Sequence, residues 1–248
     1  MSPIQAVAVT AAGVVAGGVN TIVGSGSLLT FPTLLAVGYS PVVANVSNTV
    51  GICGGTISGT FGYRRELRGQ RRRALGFGSA SLLGAIVGVV LLLRLPGSVF
   101  ASVVPVLILL ACALIAAQPW IARRLAGVRT QHLGIAGYVG IFLTGVYGGY
   151  FGAAQGVILM ALLGLVMDDD LQRLNALKNV LAGIVNVVAA VLFIALTHVA
   201  WTAALLILAG SLVGGRIGAH YGRRIPPQVL RWTIVVVGTA VGLIMLLT

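Results

Sequence analysis

The chain is nearly without acid. Among 248 residues only Glu66, Asp168, Asp169 and Asp170 carry a carboxylate, and all four lie outside the apolar segments. A cation site in hydrocarbon needs inward carboxylates, so the shortage argues against one, and it equally weakens a proton relay built from Asp or Glu. Charged residues make up 8% of the chain, against about 25% in soluble domains, so no soluble domain is expected. Lysine occurs once, as Lys178, inside an apolar segment. The two cysteines, Cys53 and Cys112, also sit in apolar segments and read as small packing residues. His132 and His198 fall at segment ends and His220 in a basic gap. There is no CxxC, no HExxH and no Ser/His/Asp arrangement at membrane depth, so neither a metal nor a cofactor is expected, and an intramembrane enzyme is poorly supported. No basic residue precedes the first apolar run in Met1–Thr10, so that run is expected to be retained and not cleaved as a signal peptide.

What is abundant is apolar length. Hydrophobic residues are 58% of the chain and the mean hydropathy is +1.06. Apolar runs follow one another along the chain, roughly Ile4–Val23, Ser27–Val37, Val42–Tyr63, Ala74–Leu93, Ser98–Gln118, His132–Phe151, Ala153–Met167, Leu171–Leu196, Trp201–Gly218 and Gln228–Leu247. A full crossing takes about 20 residues, so this pattern predicts an all-α integral membrane protein. Ser27–Val37 and Ala153–Met167 are too short to cross easily. Each follows a glycine-rich break, Gly24-Ser25-Gly26 or Gly148-Gly149-Tyr150-Phe151-Gly152.

The net charge of +12 does not point to nucleic acid, because the arginines fall in short gaps between apolar runs, as orientation signals do. The gap Tyr63–Arg73 holds Arg64, Arg65, Arg68, Arg71, Arg72 and Arg73. A second holds Arg123, Arg124 and Arg129, and a third Arg223 and Arg224, with Arg216 and Arg231 flanking it. Placing these gaps in the cytoplasm makes Ile4–Val37 a hairpin that begins and ends outside. His132–Met167 then becomes a hairpin that begins and ends inside, and both chain termini are expected outside. The two halves, 1–126 and 127–248, share one plan: a glycine-broken hairpin followed by three helices. An odd number of segments per half makes the repeats inverted. Ser81-Leu82-Leu83-Gly84-Ala85-Ile86-Val87-Gly88 echoes Ser211-Leu212-Val213-Gly214-Gly215-Arg216-Ile217-Gly218. Inverted repeats with interrupted helices are a transporter signature, with the binding site between the repeats near the midplane.

Two constellations could form that site. At the breaks, the short helices begin with free N–H groups aligned with the helix dipole, which suits an anion. The residues there are Gly24, Ser25, Gly26 and Ser27 in the first half and Gly152, Ala153 and Gln155 in the second. The competing reading is close helix packing. On the following helices, Asn45/Asn48/Thr49 and Asn175/Lys178/Asn179 each occupy one face by i, i+3, i+4 spacing. Asn48, Lys178 and Asn179 are candidates to face the solute. Interhelical hydrogen bonding stays open as an alternative for the asparagines, and snorkelling to the interface for Lys178. A buried cation without a buried carboxylate leaves an anion as its missing partner.

The stretch Gly24-Ser25-Gly26-Ser27-Leu28-Leu29-Thr30-Phe31-Pro32, then Ser40-Pro41, Ala44-Asn45-Val46-Ser47-Asn48 and Gly59-Thr60-Phe61-Gly62-Tyr63-Arg64, resembles the first half of the TauE/SafE sulfite exporter family. Gly145–Gly156, Leu177-Lys178-Asn179 and Trp201 are similar to its second half, although Ala153, Ala154 and Gln155 dilute the second glycine motif and Ala200 replaces an acidic residue. The resemblance implies a carrier of sulfite or organosulfonate working by alternating access. An anion channel and a non-transporting membrane anchor are the rivals. The expected partners are a small anion and the lipid bilayer, with no nucleic acid. The reading also admits a homodimer.

Overall fold

The computed structural model describes residues 1–125, 134–221 and 227–247. Within them the chain is all-helical: α1 Pro3–Ile22, α2 Ser27–Val37, α3 Pro41–Gly62, α4 Arg71–Arg94, α5 Gly97–Leu125, α6 Ile135–Tyr150, α7 Gln155–Val166, α8 Leu171–Leu196, α9 Trp201–Tyr221 and α10 Pro227–Leu247. All the apolar runs become helices. The boundaries shift where polar residues fit a helix end: α4 starts at Arg71, with its arginines in the first turn, and α5 runs past Pro119 to Leu125. Arg129, His132, Arg223 and Arg224 lie outside the described residues, as do the side chains of Arg123 and Arg124.

Local chemistry sets several ends. Ser2 and Gln5 form a reciprocal capping box at the start of α1, ahead of Pro3. Pro41 opens α3 at a position where its missing N–H costs nothing. Asp170 caps α8 by accepting the Gln172 amide at 2.9 Å.

Among the described residues five helices, α1, α4, α5, α8 and α9, are long and apolar enough to cross a membrane. α3 is long enough but rich in glycine, serine and asparagine. Every residue from Ala44 to Thr56 is buried in protein, so α3 has no need of an apolar lipid-facing surface along this stretch. This is a multi-pass membrane protein.

Two glycine seams organise the bundle. α1 lies along α9 in parallel: Thr10 meets Gly210, Val14 meets Gly214 and Gly18 meets Gly218. α6 lies along α4 in parallel, with Phe142 against Gly84 and Val146 against Gly88. A methyl group at Gly84, Gly88 or Gly214 would overlap a backbone carbonyl of the facing helix. The two stretches that echo one another in sequence thus do the same work, each seating the first helix of the opposite half. Ser211 on α9 ties that helix to α3, accepting the Gly55 amide at 3.0 Å and donating to the Gly51 carbonyl at 2.8 Å.

Asp169 ties the arginine-rich end. Asp169 accepts from Arg73 at 2.5 Å and from Arg173 at 2.8 Å, and Arg173 also donates to the Glu66 and Arg68 carbonyls. The acidic run therefore sits at the same end of the bundle as the Tyr63–Arg73 gap. Partial burial alone would raise the Asp169 pKa. Hydrogen bonds from Arg73, the Asp170 amide and Arg173, together with the Arg173 charge, outweigh that and hold the carboxyl below its ordinary range. A depressed folded pKa gives stability that is present above the unfolded value of about 3.9 and is lost as pH falls through the folded value. Thermal stability in detergent should therefore drop below about pH 4, and Asp169→Asn should flatten that limb. An unchanged acid limb in the variant would assign the loss to other groups.

Candidate functional site

The tips of the two hairpins touch. The Gly156 amide at the start of α7 donates to the Gly24 carbonyl at 3.0 Å, and a methyl on either glycine would overlap the backbone of the other. Gly24 has φ +87° and Gly152 φ +76°, in the left-handed region that favours glycine. Ala154 shares this region at φ 59° and caps α7. Phe31 and Phe151 stack edge to face across the junction with centroids 5.3 Å apart. Gly156, not among the candidates read from sequence, makes this contact. Gly152 lies one turn back, half-buried, where its amide closes onto the Tyr147 carbonyl.

Not every amide at the tips is bare. Gly156 gives its N–H to Gly24, and Leu28, Leu29, Gln155 and Val157 turn back onto carbonyls three residues earlier. The amides of Ser25, Gly26, Ser27, Ala153 and Ala154 meet no acceptor among the described residues. Two side-chain donors join them. The Ser25 hydroxyl and the Gln155 amide nitrogen are buried and unpartnered, in residues only 1% and 3% exposed. Gly26 caps α2 without a side-chain bond and packs against the Ala16 carbonyl, while Ser27 opens α2 half-buried. Ala153 is buried, its carbonyl accepting from the Tyr147 hydroxyl at 2.5 Å. Gln155 lies flat on Gly148, where an added methyl would crowd its side-chain amide. Buried unsatisfied donors are costly; Ser25 and Gln155 bring two to this junction, while the side-chain oxygens of Asn45 and Asn175 are buried acceptors without a partner.

The helices after each hairpin hold the tips in place. Asn45 on α3 donates to the Tyr150 carbonyl at the end of α6 at 3.0 Å. Asn175 on α8 donates to the Thr21 carbonyl near the end of α1 at 3.4 Å. Each is the fifth residue of its helix, and each ties down the end of the first helix of a hairpin. Asn48 accepts from Thr30, clipping the first turn of α2 to α3. Asn179 adds a second bond to the Thr21 carbonyl at 3.4 Å.

Lys178 is fully buried, and its ammonium donates to the carbonyls of Asn20 at 3.3 Å and Thr21 at 3.2 Å. It does not reach the interface. It sits against the negative end of the α1 dipole, where cations are favoured. The unpaired carbonyls of a broken helix were not among the sequence-level candidates. The signal was nonetheless available, since any helix ending at membrane depth leaves its last carbonyls bare. Among the described residues no group of histidine, cysteine and carboxylate side chains could hold a metal.

The family model described as sulfite exporter TauE/SafE matches residues 9–245. The chain is similar to "Probable membrane transporter protein YfcA" of Escherichia coli, 27% identical over 92% of this chain and 84% of the relative. It is similar to "Probable membrane transporter protein" of Haemophilus influenzae, 27% identical over 84% of this chain and 81% of the relative. "Probable membrane transporter protein ORF9" of Sinorhizobium sp is 25% identical, with 92% of this chain and 87% of the relative covered. No solved structure matches the chain significantly. With the family model covering nearly its whole length, the chain belongs to the TauE/SafE sulfite exporter family.

Proposed function

We propose that this membrane transporter carries a small anion, a sulfur oxyanion such as sulfite or an organosulfonate, by alternating access around the junction of the two hairpin tips. The observation that carries the reading is the set of buried donors left over there. The Ser25 hydroxyl, the Gln155 amide and the bare amides of Ser25–Ser27 all offer hydrogen and none finds an acceptor. Desolvating a small oxyanion costs several kcal/mol, and preorganised donors at helix N-termini, with the charge of Lys178 behind α1, can offset that. The family description and the relatives' names support transport, and the family description supports a sulfur oxyanion.

In this reading the halves 1–126 and 127–248 are inverted repeats. The matched Asn45 and Asn175 tethers and the matched glycine seams support that relation. The cytoplasmic placement of the arginine-rich end, and with it external termini, rests on the distribution of arginine. Tips closed backbone to backbone leave no water column at their contact, which favours a carrier over a channel. The purified chain alone in proteoliposomes should take up labelled sulfite or sulfonate saturably, with counterflow. Flux equal to that of empty vesicles across several sulfur oxyanions would reject the reading, and single-channel conductance steps would replace the carrier with a channel.

A further inference from the structure

The arginine-rich end holds a cleft that the transport reading does not use. Its volume is about 470 Å³, and it lies between the ends of α3 and α9. Arg64, Arg216 and His220 line it together with Ile57, Phe61 and Leu212. The three apolar residues are 43%, 67% and 43% exposed. Neither arginine enters an ion pair among the described residues, where Asp169 takes Arg73 and Arg173. None of the chain's four acids pairs with either arginine among the described residues, which leaves the charge of this cleft open to an external anion.

A second cleft, of about 560 Å³, shares Ile57, Phe61 and Arg64 with the first. It runs between α3, α4 and α8 over Leu82, Ile184 and Val187, and apart from Thr60 and Arg64 its lining is apolar. The end of α3 is thus a ridge with a basic, amphipathic cleft on one side and an apolar groove on the other. Arg64 stands at the head of both.

We propose that this pair of clefts binds one anionic phospholipid. Its phosphate sits between Arg64 and Arg216, with His220 at hand as a further polar contact, and an acyl chain lies along the groove beside Phe61. Basic pockets between transmembrane helices suit anionic headgroups. A free phosphate gains nothing from Ile57, Phe61 and Leu212, whereas a phospholipid satisfies the charge and the apolar walls at once. A zwitterionic lipid brings a cation beside two arginines and forfeits most of the gain. The lipid would brace α3, which carries Asn45 and Asn48, against α9, which seats α1. This site is independent of the identity of the transported solute.

The test uses the purified full chain in neutral detergent, with phosphatidylglycerol, phosphatidylcholine and inorganic phosphate added separately. Native mass spectrometry reads the bound lipid, and melting temperature reads stabilisation. Phosphatidylglycerol should be retained about tenfold or more over phosphatidylcholine, from roughly 1 kcal/mol per arginine. Arg64→Gln with Arg216→Gln should bring it down to the phosphatidylcholine level. Arg94→Gln, at the opposite end of α4, should leave the preference intact. Equal retention of the two lipids by the unaltered chain overturns the proposal without recourse to any variant. So does a preference that survives the double substitution. Displacement of phosphatidylglycerol by equimolar inorganic phosphate would make this a free-anion site and overturn the lipid assignment.

Discussion

Gly24→Ala should cut transport by about two orders of magnitude while the chain still inserts. Gly24 has φ +87°, and a methyl there overlaps the Gly156 backbone, which has no flexible side chain to move aside. The left-handed conformation costs an alanine about 1–2 kcal/mol, and forcing a methyl into a packed contact about 1–3 kcal/mol more. The cheapest relief is separation of the tips, which breaks the Gly156–Gly24 hydrogen bond and pulls the Ser25 and Gln155 donors apart. Gly156→Ala isolates the overlap, because Gly156 is not among the residues with positive φ. It should cost flux as well, though less. Gly164→Ala places its methyl in open space and should be silent. Flux measured at matched protein amounts in proteoliposomes checks the series. A Gly24→Ala rate within a factor of two of the unaltered chain would remove the tip contact from the mechanism.

The helices were readable because the lipid requirement is severe. A run such as Leu171–Leu196 has no stable alternative in hydrocarbon, and two short runs behind glycine breaks have no way to cross alone. The small residues of Ser81–Gly88 and Ser211–Gly218 were legible as packing faces, since closely packed helices demand small residues at fixed spacing. The partner of each seam was not legible. Nothing in the order of residues says that Gly84 seats α6 and Gly214 seats α1, because that pairing crosses the halves and follows from three-dimensional closure. The breaks were legible as loops, but nothing in the order of residues specifies which backbone groups of the two tips meet. Gly156, which was not among the candidates read from sequence, meets Gly24. The asparagines resolved unevenly. Asn45 and Asn175 tie helix ends, Asn48 and Asn179 also spend polar atoms on protein partners, and at the tips the unpartnered side-chain donors are Ser25 and Gln155.

Lys178→Met should lower anion transport about thirtyfold without lowering the melting temperature. Two effects compete for stability. The substitution leaves the Asn20 carbonyl without its side-chain donor, a loss of about 1–3 kcal/mol, while the Thr21 carbonyl keeps Asn175 and Asn179. Against this, the ammonium is wholly buried and its described hydrogen bonds go to neutral carbonyls alone. Holding it there costs several kcal/mol, of which the α1 dipole returns up to about 2 kcal/mol. Removing the charge therefore offsets the lost bond, and methionine fills nearly the same volume. Transport has no such offset. A unit charge within several ångströms of an anion contributes on the order of 2 kcal/mol at an effective dielectric of about 20, close to thirtyfold in affinity. Lys178→Gln separates the two roles, since glutamine keeps a donor for the end of α1 and brings no charge. It should transport as poorly as Lys178→Met if charge is what the anion feels. A glutamine variant that transports at the unaltered rate would make Lys178 a cap for a broken helix and nothing more, and the buried positive charge would then play no part in attracting the solute.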